Sequence, residues 1–215
     1  MAVKNGESFI NDAILSIRNQ TLIPSKIIIV NDHSSDRTVE IVESMSNNIL
    51  LLHSEKHGQI FALNIGLENV HTKYLAFLDA DDMWLPNKQM EAIEILENKP
   101  EISIVSHGTR NFENDTIDSI VKHKDYPGSG LFSANTFRTD SFFSINNGVL
   151  YGNPFTWQMQ WWDTANKLKL TSLKLNQIGH LRRIHEKNLS YNLKKVNQQD
   201  PKIEFLRQHL KRNKP

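Results

Sequence analysis

Apolar and polar positions alternate along the first half of the chain in a way that predicts helices and strands in turn. Ile10, Ile14 and Ile17 recur at the spacing of one helix face, and the apolar run at 26–30 has the length of a buried strand. This succession of helix and strand occurs four times up to residue 106. The further predicted helices contain Val39, Val42 and Met45, then Phe61 and Ile65 facing inward within 58–70, then Met90, Ile93 and Leu96, and the further strands are 49–53, 74–78 and 102–106.

The second half of the chain has a less regular pattern. Residues 111–130 are mostly polar residues, Gly and Pro, which predicts a long connecting segment. Beyond it the apolar spacing predicts a helix at 155–168, short strands at 173–175 and 178–184, and a terminal helix from residue 201. Together the two halves predict an α/β fold: a mixed, mostly parallel sheet flanked by helices and joined by right-handed crossovers.

Composition narrows the class of protein. The chain has 215 residues, of which 39% are hydrophobic, so it is large enough to bury the core of one domain. Its 25 Lys and Arg residues are balanced by 24 Asp and Glu residues, which argues against a nucleic acid as partner. The absence of cysteine excludes disulfides, thiolate nucleophiles and Cys-based zinc sites.

Signals for a membrane or an export pathway are weak. The longest apolar runs have the length of a strand, far below the roughly 20 residues of a membrane-spanning helix. We therefore expect no transmembrane segment and a cytoplasmic location. The basic, amphipathic stretch at 202–214 predicts a peripheral contact with the inner membrane face, although a docked terminal helix with a solvated basic face explains the same pattern.

Three carboxylates, Asp79, Asp81 and Asp82, directly follow the apolar strand predicted at 74–78. Such a cluster repels itself unless a cation neutralises it. Magnesium and manganese prefer carboxylate oxygens and leave positions open for substrate phosphates. The carboxyl ends of strands in open α/β sheets are also where ligands bind. The alternative is a solvated acidic turn that caps the next helix.

Four segments in a fixed order carry a resemblance to a known family. They read Lys-Asn-Gly-Glu at 4–7, Val-Asn-Asp-His-Ser-Ser-Asp at 30–36, Gly58 with Asn-Ile-Gly at 64–66, and Leu-Asp-Ala-Asp-Asp at 78–82. Together they resemble glycosyltransferase family 2, whose catalytic domain has the GT-A fold, and the resemblance extends to about residue 190. It implies transfer of a sugar from a nucleoside diphosphate sugar, with uridine as the expected base, to a hydroxyl acceptor with inversion.

The resemblance assigns the donor-binding positions. Asp32 matches the residue that reads the nucleotide base, because a carboxylate can accept a hydrogen bond from a ring N–H. Ala2 and Val3 match the strand end that lines the base pocket. Gly58 and Asn64 match the segment that closes over the nucleotide.

The same resemblance gives the acidic cluster a cation, manganese or magnesium, as cofactor. Asp81 is expected to contact the metal, and Asp79 to contact the ribose or a metal-bound water. A later segment, Arg-Arg-Ile-His-Glu-Lys-Asn-Leu-Ser at 182–190, also resembles a family element. It implies that His185 completes the metal shell or contacts the diphosphate, and that Arg182 or Arg183 neutralises the diphosphate; the alternative is surface arginines and a structural histidine.

The acceptor side departs from the family. The usual catalytic base is a carboxylate near the start of the helix at 155–168, where this chain has Gln160 or Trp161. Asp163 is the nearest carboxylate and the candidate substitute base. Trp161 and Trp162 are candidates for an acceptor platform, but with Trp157 they cannot all face one way, so one or two should be buried.

Three regions are expected: a nucleotide-sugar-binding half at 1–110, an acceptor-binding half at 111–190, and a helical tail at 191–215. The opening strand is shorter than in the family, which leaves two alternatives: the true start of the protein lies upstream, or the strand is short and the sheet is weakened there. With the missing carboxylate, it favours an alternative: a degenerate relative that binds nucleotide, or serves as a partner subunit, without catalysis. A nucleotidyltransferase is a more distant alternative.

Overall fold

The structure of the chain, a computed structural model, describes residues 1–45, 47–113, 125, 126, 128, 130–153, 156–186 and 188. The terminal helix predicted from residue 201, the tail at 191–215, Ser190 and most of the connecting segment at 111–130 lie outside the described residues.

The first sheet is built from three parallel strands. They are β1 (Ala2–Val3), β2 (Ile27–Asn31) and β3 (Ile49–His53), in that spatial order. In register, Val3 lies opposite Asn31, which in turn lies opposite His53. The carboxyl ends of all three strands therefore meet at one edge of the sheet.

The second sheet is mixed. It contains β4 (Tyr74–Ala76), β5 (Met83–Trp84), β6 (Ile104–Phe112), β7 (Asp125–Tyr126), β8 (Asn135–Arg138) and β9 (Ser172–Arg183). The order is β4-β8-β6-β9-β5, with β7 beside β6; β6 and β9 run parallel, and the other described pairs are antiparallel. The two late strands predicted from the sequence are thus one long strand, β9.

Helices connect the strands of both sheets. They are α1 (Ile10–Arg18), α2 (Thr38–Ser44), α3 (Gln59–Glu68), α4 (Lys88–Asn98), α5 (Thr139–Phe143) and α6 (Trp157–Lys167). The predicted succession of helices and strands up to residue 106 is confirmed, but β5 was not predicted and β6 continues to Phe112. Among the described residues, no helix has the length and apolar character needed to cross a bilayer.

One inward position was assigned wrongly. On α3, Phe61 is 48% exposed, whereas Ile60 and Leu63 are buried. Apolar residues occur around most of this short helix, so the periodicity alone did not identify the buried face.

Two apolar clusters form most of the core. The first, here called the aliphatic cluster, lies between β1, β2, α1 and α2. The second, the aromatic cluster, lies between the second sheet, α5 and α6. The aliphatic cluster comprises Val3, Ile10, Ala13, Ile14, Ile17, Ile27, Ile29, Val42, Leu78 and Trp84, and the centre of the aromatic cluster comprises Phe77, Phe132, Phe137, Phe142, Trp157 and Trp161.

The two sheets are separated by a cavity. It has a volume of about 590 Å³ and is lined by apolar residues of both sheets and their helices, among them Ile17, Ile27, Leu67, Tyr74 and Phe77.

Candidate functional site

The first two sequence segments of the resemblance are joined by reciprocal hydrogen bonds. The N–H of Asn5 donates to Ser34 Oγ at 3.0 Å, and Asn5 Oδ1 accepts from the Ser35 N–H at 2.8 Å. The N–H of Glu7 donates to Asp36 Oδ2 at 3.1 Å, and Glu7 Oε2 accepts from the Arg37 N–H at 3.1 Å. These contacts fix the loops after β1 and β2 as one rigid surface.

Asp36 also lies two residues before the start of α2. Its Oδ1 accepts the N–H of Thr38 at 3.0 Å and the hydroxyl of the same residue. Against the effect of burial, these hydrogen bonds and the one from the Glu7 N–H hold the pKa of Asp36 below its ordinary value. Asp36 therefore satisfies a backbone N–H in the first turn of α2.

Asp32 follows β2 and is buried, with 5% of its surface exposed. Its backbone N–H donates to the carbonyl of Val3 at 2.8 Å, which joins it to β1 beside Ala2. Both of its carboxylate oxygens accept from the N–H of Gly58, at 2.9 and 3.0 Å. The φ angle of Gly58 is 126°, a region open mainly to glycine, so this loop conformation depends on the residue type. Asp32, Val3 and Gly58 are thus brought together as predicted.

The acidic cluster lies on a turn that begins three residues beyond the end of β4. Although Asp79 keeps exposed surface, its carboxyl group lies among protein atoms, and the N–H of Asp79 donates to Ser133 Oγ at 3.1 Å. Loss of bulk water, then the negative charges of Asp82 and Asp81, raises the pKa of Asp79 to about 7. A bound cation would oppose this effect by favouring the charged carboxylates.

Asp81 is the point where distant parts of the chain converge. Its Oδ2 lies 3.0 Å from His185 Nε2 and accepts from Asn188 Nδ2 at 2.9 Å. The backbone N–H of His185 donates to Asn188 Oδ1 at 2.6 Å, and the His185 ring lies 4.6 Å from the ring centre of Phe9. The late element therefore contacts the acidic cluster.

Arg183 has a different environment from the one expected of a diphosphate ligand. Arg183 is 3% exposed, and its guanidinium lies 4.9 Å from the ring centre of Phe9 and 4.7 Å from that of Phe112. It donates from Nε to the Asp81 carbonyl at 3.1 Å and from Nη2 to Asp12 at 2.9 Å. This geometry makes Arg183 a positioning residue for the Asp81 turn. Arg182, on the same strand, is only partly buried.

Asp82 has a structural position behind the turn. Its carboxyl group accepts from the Arg183 N–H at 3.0 Å and is hydrogen-bonded to His180 Nε2 at 2.9 Å, while His180 Nδ1 is hydrogen-bonded to Thr109 Oγ1 at 3.0 Å. Burial lowers the pKa of His180 to about 3, so this histidine is neutral, and burial followed by the charge of Asp81 raises the pKa of Asp82 well above its ordinary value. The hydrogen bonds hold the acidic turn against β9.

Two groups of side chains could hold a cation. Asp81 and His185 present a carboxylate and an imidazole 3.0 Å apart. Among the residues that the structure describes, however, the one group of three ligand-bearing side chains whose ligand atoms all lie within 4.8 Å of one another is Asp32, His33 and His57. The expected metal set of Asp79, Asp81 and His185 does not form a comparably tight group among the described residues.

Asn64 is engaged by the protein itself. Its Nδ2 donates to the Leu150 carbonyl at 3.0 Å, and its Oδ1 accepts from the Leu150 N–H at 2.8 Å. These two bonds use one N–H and one oxygen lone pair of the amide. Asn64 therefore braces the 150 loop against α3, and its expected contact with the nucleotide stays a prediction.

The acceptor candidates on α6 separate into buried and partly exposed residues. Trp161 is 4% exposed and stacks on Phe142 with ring centres 5.1 Å apart, so it belongs to the core and not to an acceptor platform. Trp162 is partly buried and donates from Nε1 to the Gly130 carbonyl at 2.9 Å. The carboxylate of Asp163 accepts from Lys167 at 2.7 Å, one turn along the helix.

The sequence analysis missed one residue of the site, although its signal was present. Asn188 belongs to the same segment as His185, and the structure places its amide on Asp81. The available signal was the spacing of three residues between the two, which is typical of a turn that brings both side chains to one point. In the structure, the Asn188 N–H donates back to the His185 carbonyl at 3.0 Å.

Comparison with known proteins agrees with this geometry. The model of the family "Glycosyl transferase family 2" matches residues 1–161. An uncharacterized glycosyltransferase of Rickettsia prowazekii (strain Madrid E) is 39% identical over 100 residues, which are 45% of this chain and 31% of the relative. An uncharacterized glycosyltransferase of Haemophilus influenzae is 29% identical over 146 residues, which are 64% of this chain and 57% of the relative.

Two solved structures share the fold. S. aureus TarS 1–349, in complex with UDP-GlcNAc, superposes with a TM-score of 0.66 at 17% identity, covering 87% of this chain and 58% of the other. The mannosyltransferase PcManGT from Pyrobaculum calidifontis, in complex with GDP-Man and Mn²⁺, has a TM-score of 0.67 at 14% identity, covering 87% of this chain and 56% of the other. The chain thus spans between about a third and three fifths of the lengths of these proteins.

Proposed function

The chain belongs to glycosyl transferase family 2, and we propose that it transfers a sugar from a nucleoside diphosphate sugar to a hydroxyl acceptor with inversion at the anomeric carbon. Uridine is the proposed base. The observation that carries the proposal is the convergence of His185 and Asn188 on Asp81, together with the position of Asp32, which Gly58 holds at the carboxyl end of β2. The absence of cysteine suits a cytoplasmic reaction.

The donor would lie between two carboxylates with separate tasks. Asp32, at the end of β2, would accept a hydrogen bond from the N–H of the base, because each of its oxygens keeps a lone pair beyond the one used by Gly58. Asp81 would lie beside the diphosphate. The rigid loops at 4–7 and 34–38 would support the nucleoside from below.

A divalent cation fits the residues present at Asp81. The pair consists of an oxygen and an imidazole nitrogen, a set that suits Mn²⁺, and His185 Nδ1 is buried without a hydrogen-bond partner among the described residues. Asp81 and His185 would hold the ion, with Asp79 as an indirect contact. The ion would supply neutralisation of the charge that develops on the departing diphosphate.

The acceptor hydroxyl must lose its proton as it attacks the anomeric carbon. Asp163 is the proposed base because it is the first carboxylate on α6, but the ion pair with Lys167 must open to free it. Trp162, partly buried beside Gly130, is the proposed aromatic contact for the acceptor.

A second candidate function is nucleotide binding without transfer. The observation that favours it is the composition of α6, where Gln158 and Gln160 precede Asp163 and no carboxylate is present in the first turn. A purified chain that binds nucleotide but releases no nucleoside diphosphate from nucleotide sugars, with a broad panel of acceptors, would support this alternative.

The donor site can be tested by thermal unfolding. We expect one nucleoside diphosphate, with Mn²⁺ present, to raise the melting temperature, since ligand at about 100 Kd stabilises the folded state by roughly 2.7 kcal/mol. The shift should vanish without the cation and in Asp81→Asn. Asp140→Asn, an exposed carboxylate on α5, is the matched control and should keep the shift.

A folded protein that shows no shift with any nucleotide would overturn the donor-site assignment. If Asp81→Asn retains the full melting-temperature shift, the cation and the diphosphate do not bind at Asp81. Circular dichroism of both variants checks that the fold is kept.

A further inference from the structure

Two histidines beside Asp32 have no part in the proposed transfer. His33 follows Asp32 directly after β2, and His57 precedes Gly58 in the loop between β3 and α3. Both histidines are exposed, whereas Asp32 is buried. The question is what an arrangement of two imidazoles over a buried carboxylate can bind.

The backbone holds the three residues in a compact group. The hydrogen bonds from Gly58 to Asp32 bring the His57 loop against the end of β2. His33 has a φ of 55°, in the left-handed region that residues other than glycine seldom adopt. As a result the two imidazole rings lie face to face, with their centres 3.8 Å apart and their planes tilted by 32°.

The distances between the possible ligand atoms are close to those in a metal site. One nitrogen from each histidine and one oxygen from Asp32 all lie within 4.8 Å of one another. In a tetrahedral zinc site with bonds of about 2.0–2.1 Å, neighbouring ligand atoms are about 3.4 Å apart. The rings are exposed, so a rotation of each side chain can close the difference without moving the sheet.

We propose that Asp32, His33 and His57 form a binding site for Zn²⁺ or a similar borderline transition-metal ion, separate from the Asp81 site. Two imidazoles and one carboxylate are ligands that zinc prefers, and they leave a fourth position open to water. A metal at this position takes up the Asp32 carboxylate, so it competes with the nucleotide base. The competition rests on the proposed function; the metal site itself does not.

The direct test is a zinc titration of tag-free, nucleotide-free protein in the Asp81→Asn background, which removes the contribution of the other cation site. Calorimetry should show one Zn²⁺ per chain, and Co²⁺ should give the visible absorption of a tetrahedral complex. His33→Asn and His57→Asn should each weaken binding at least about tenfold. Asparagine is chosen because it tolerates the left-handed conformation of His33.

His71→Asn is the matched control, because His71 is an exposed histidine in the loop between α3 and β4, outside the group. Its zinc affinity should equal that of the parent. Zinc binding that survives both the His33 and His57 substitutions, or its absence in the parent chain, would overturn the proposal. If Asp81→Asn folds poorly, the same titrations are carried out in the wild-type background.

The competition is read in the melting assay with nucleotide and Mg²⁺. Zn²⁺ should reduce the nucleotide-dependent shift in the wild type and leave it unchanged in the His33→Asn/His57→Asn double variant. An undiminished shift in the zinc-bound wild type would overturn the competition. A chain that binds no nucleotide would instead overturn the donor site, and the zinc titration alone would then decide this inference.

Discussion

The aliphatic cluster and the aromatic cluster support opposite sides of the same site in different ways. The aliphatic cluster is assembled from residues 3–84 and lies under the loops that carry Asp32 and Asp36. The aromatic cluster draws residues from 60 to 165 and includes buried residues of α6. Mostly small branched side chains thus support the rigid donor loops, whereas large rings hold the second sheet against α5 and α6.

The difference extends to the polar groups. Around the aliphatic cluster, backbone N–H groups and short side chains such as those of Asn5 and Ser34 satisfy one another. Inside the aromatic cluster, the indole N–H groups of Trp157 and Trp161 are buried without a hydrogen-bond partner among the described residues. The aromatic side therefore relies on ring packing and tolerates the free-energy cost of buried N–H groups without hydrogen bonds.

The largest expected effect comes from removing a ring of the aromatic cluster. Trp161→Ala leaves a cavity among Phe132, Phe137 and Phe142, and we expect it to lower the free energy of unfolding by about 3–5 kcal/mol. Urea unfolding measures the loss. Trp161→Phe should cost clearly less, because it retains a ring and removes the unpaired N–H.

Trp162→Ala is the matched control on the same helix. Its ring is only partly buried, so its loss should cost less than that of Trp161. Equal losses for the two alanine variants would contradict the distinction between a core residue and a surface residue at these adjacent positions.

The second prediction concerns Lys88, which lies at the boundary between the clusters. Its ammonium is 4.5 Å from the ring centre of Trp84 in the aliphatic cluster and donates to Thr136 Oγ1, on β8, at 3.1 Å. Burial lowers the pKa of Lys88 from 10.5 to about 7. The unfolded chain therefore binds this proton more tightly than the folded one, and the cost of burying the charge is fully present below pH 7.

Lys88→Met should accordingly stabilise the protein at pH 6, by roughly 1–3 kcal/mol after its lost hydrogen bonds are subtracted. The gain over the wild type should shrink as the pH rises from about 7 toward 10.5, because the wild-type penalty disappears over that interval. Denaturant unfolding of both proteins across this range provides the test. A gain that is independent of pH would show that the charge of Lys88 is not its cause.

The sequence predicted the donor side better than the acceptor side for a physical reason. Asp32 and Gly58 follow predicted strands, and the carboxyl ends of neighbouring strands must meet at one edge. Trp161 could not be assigned in the same way, because its burial depends on rings at Phe132 and Phe142 that only the tertiary fold brings to α6. The hydrogen-bond partner of Asn64, the carbonyl of Leu150, is likewise 86 residues away in the sequence.

The smallest expected effect is at Phe61, where the pattern on α3 misled the assignment of the inner face. Phe61 is 48% exposed, and its one described cation contact, Lys56 at 5.6 Å from the ring centre, is itself on the surface. We expect Phe61→Ala to change the free energy of unfolding by no more than about 0.5 kcal/mol.

Leu63→Ala, two positions along the same helix, is the comparison that gives this small effect its meaning. Leu63 is 8% exposed and belongs to the aromatic cluster, so its truncation should cost about 2–5 kcal/mol. Both variants are measured by urea unfolding under identical conditions. If Phe61→Ala proved as costly as Leu63→Ala, the aromatic cluster would extend to the outer face of α3, and the boundary between the two regions would have to be drawn beyond that helix.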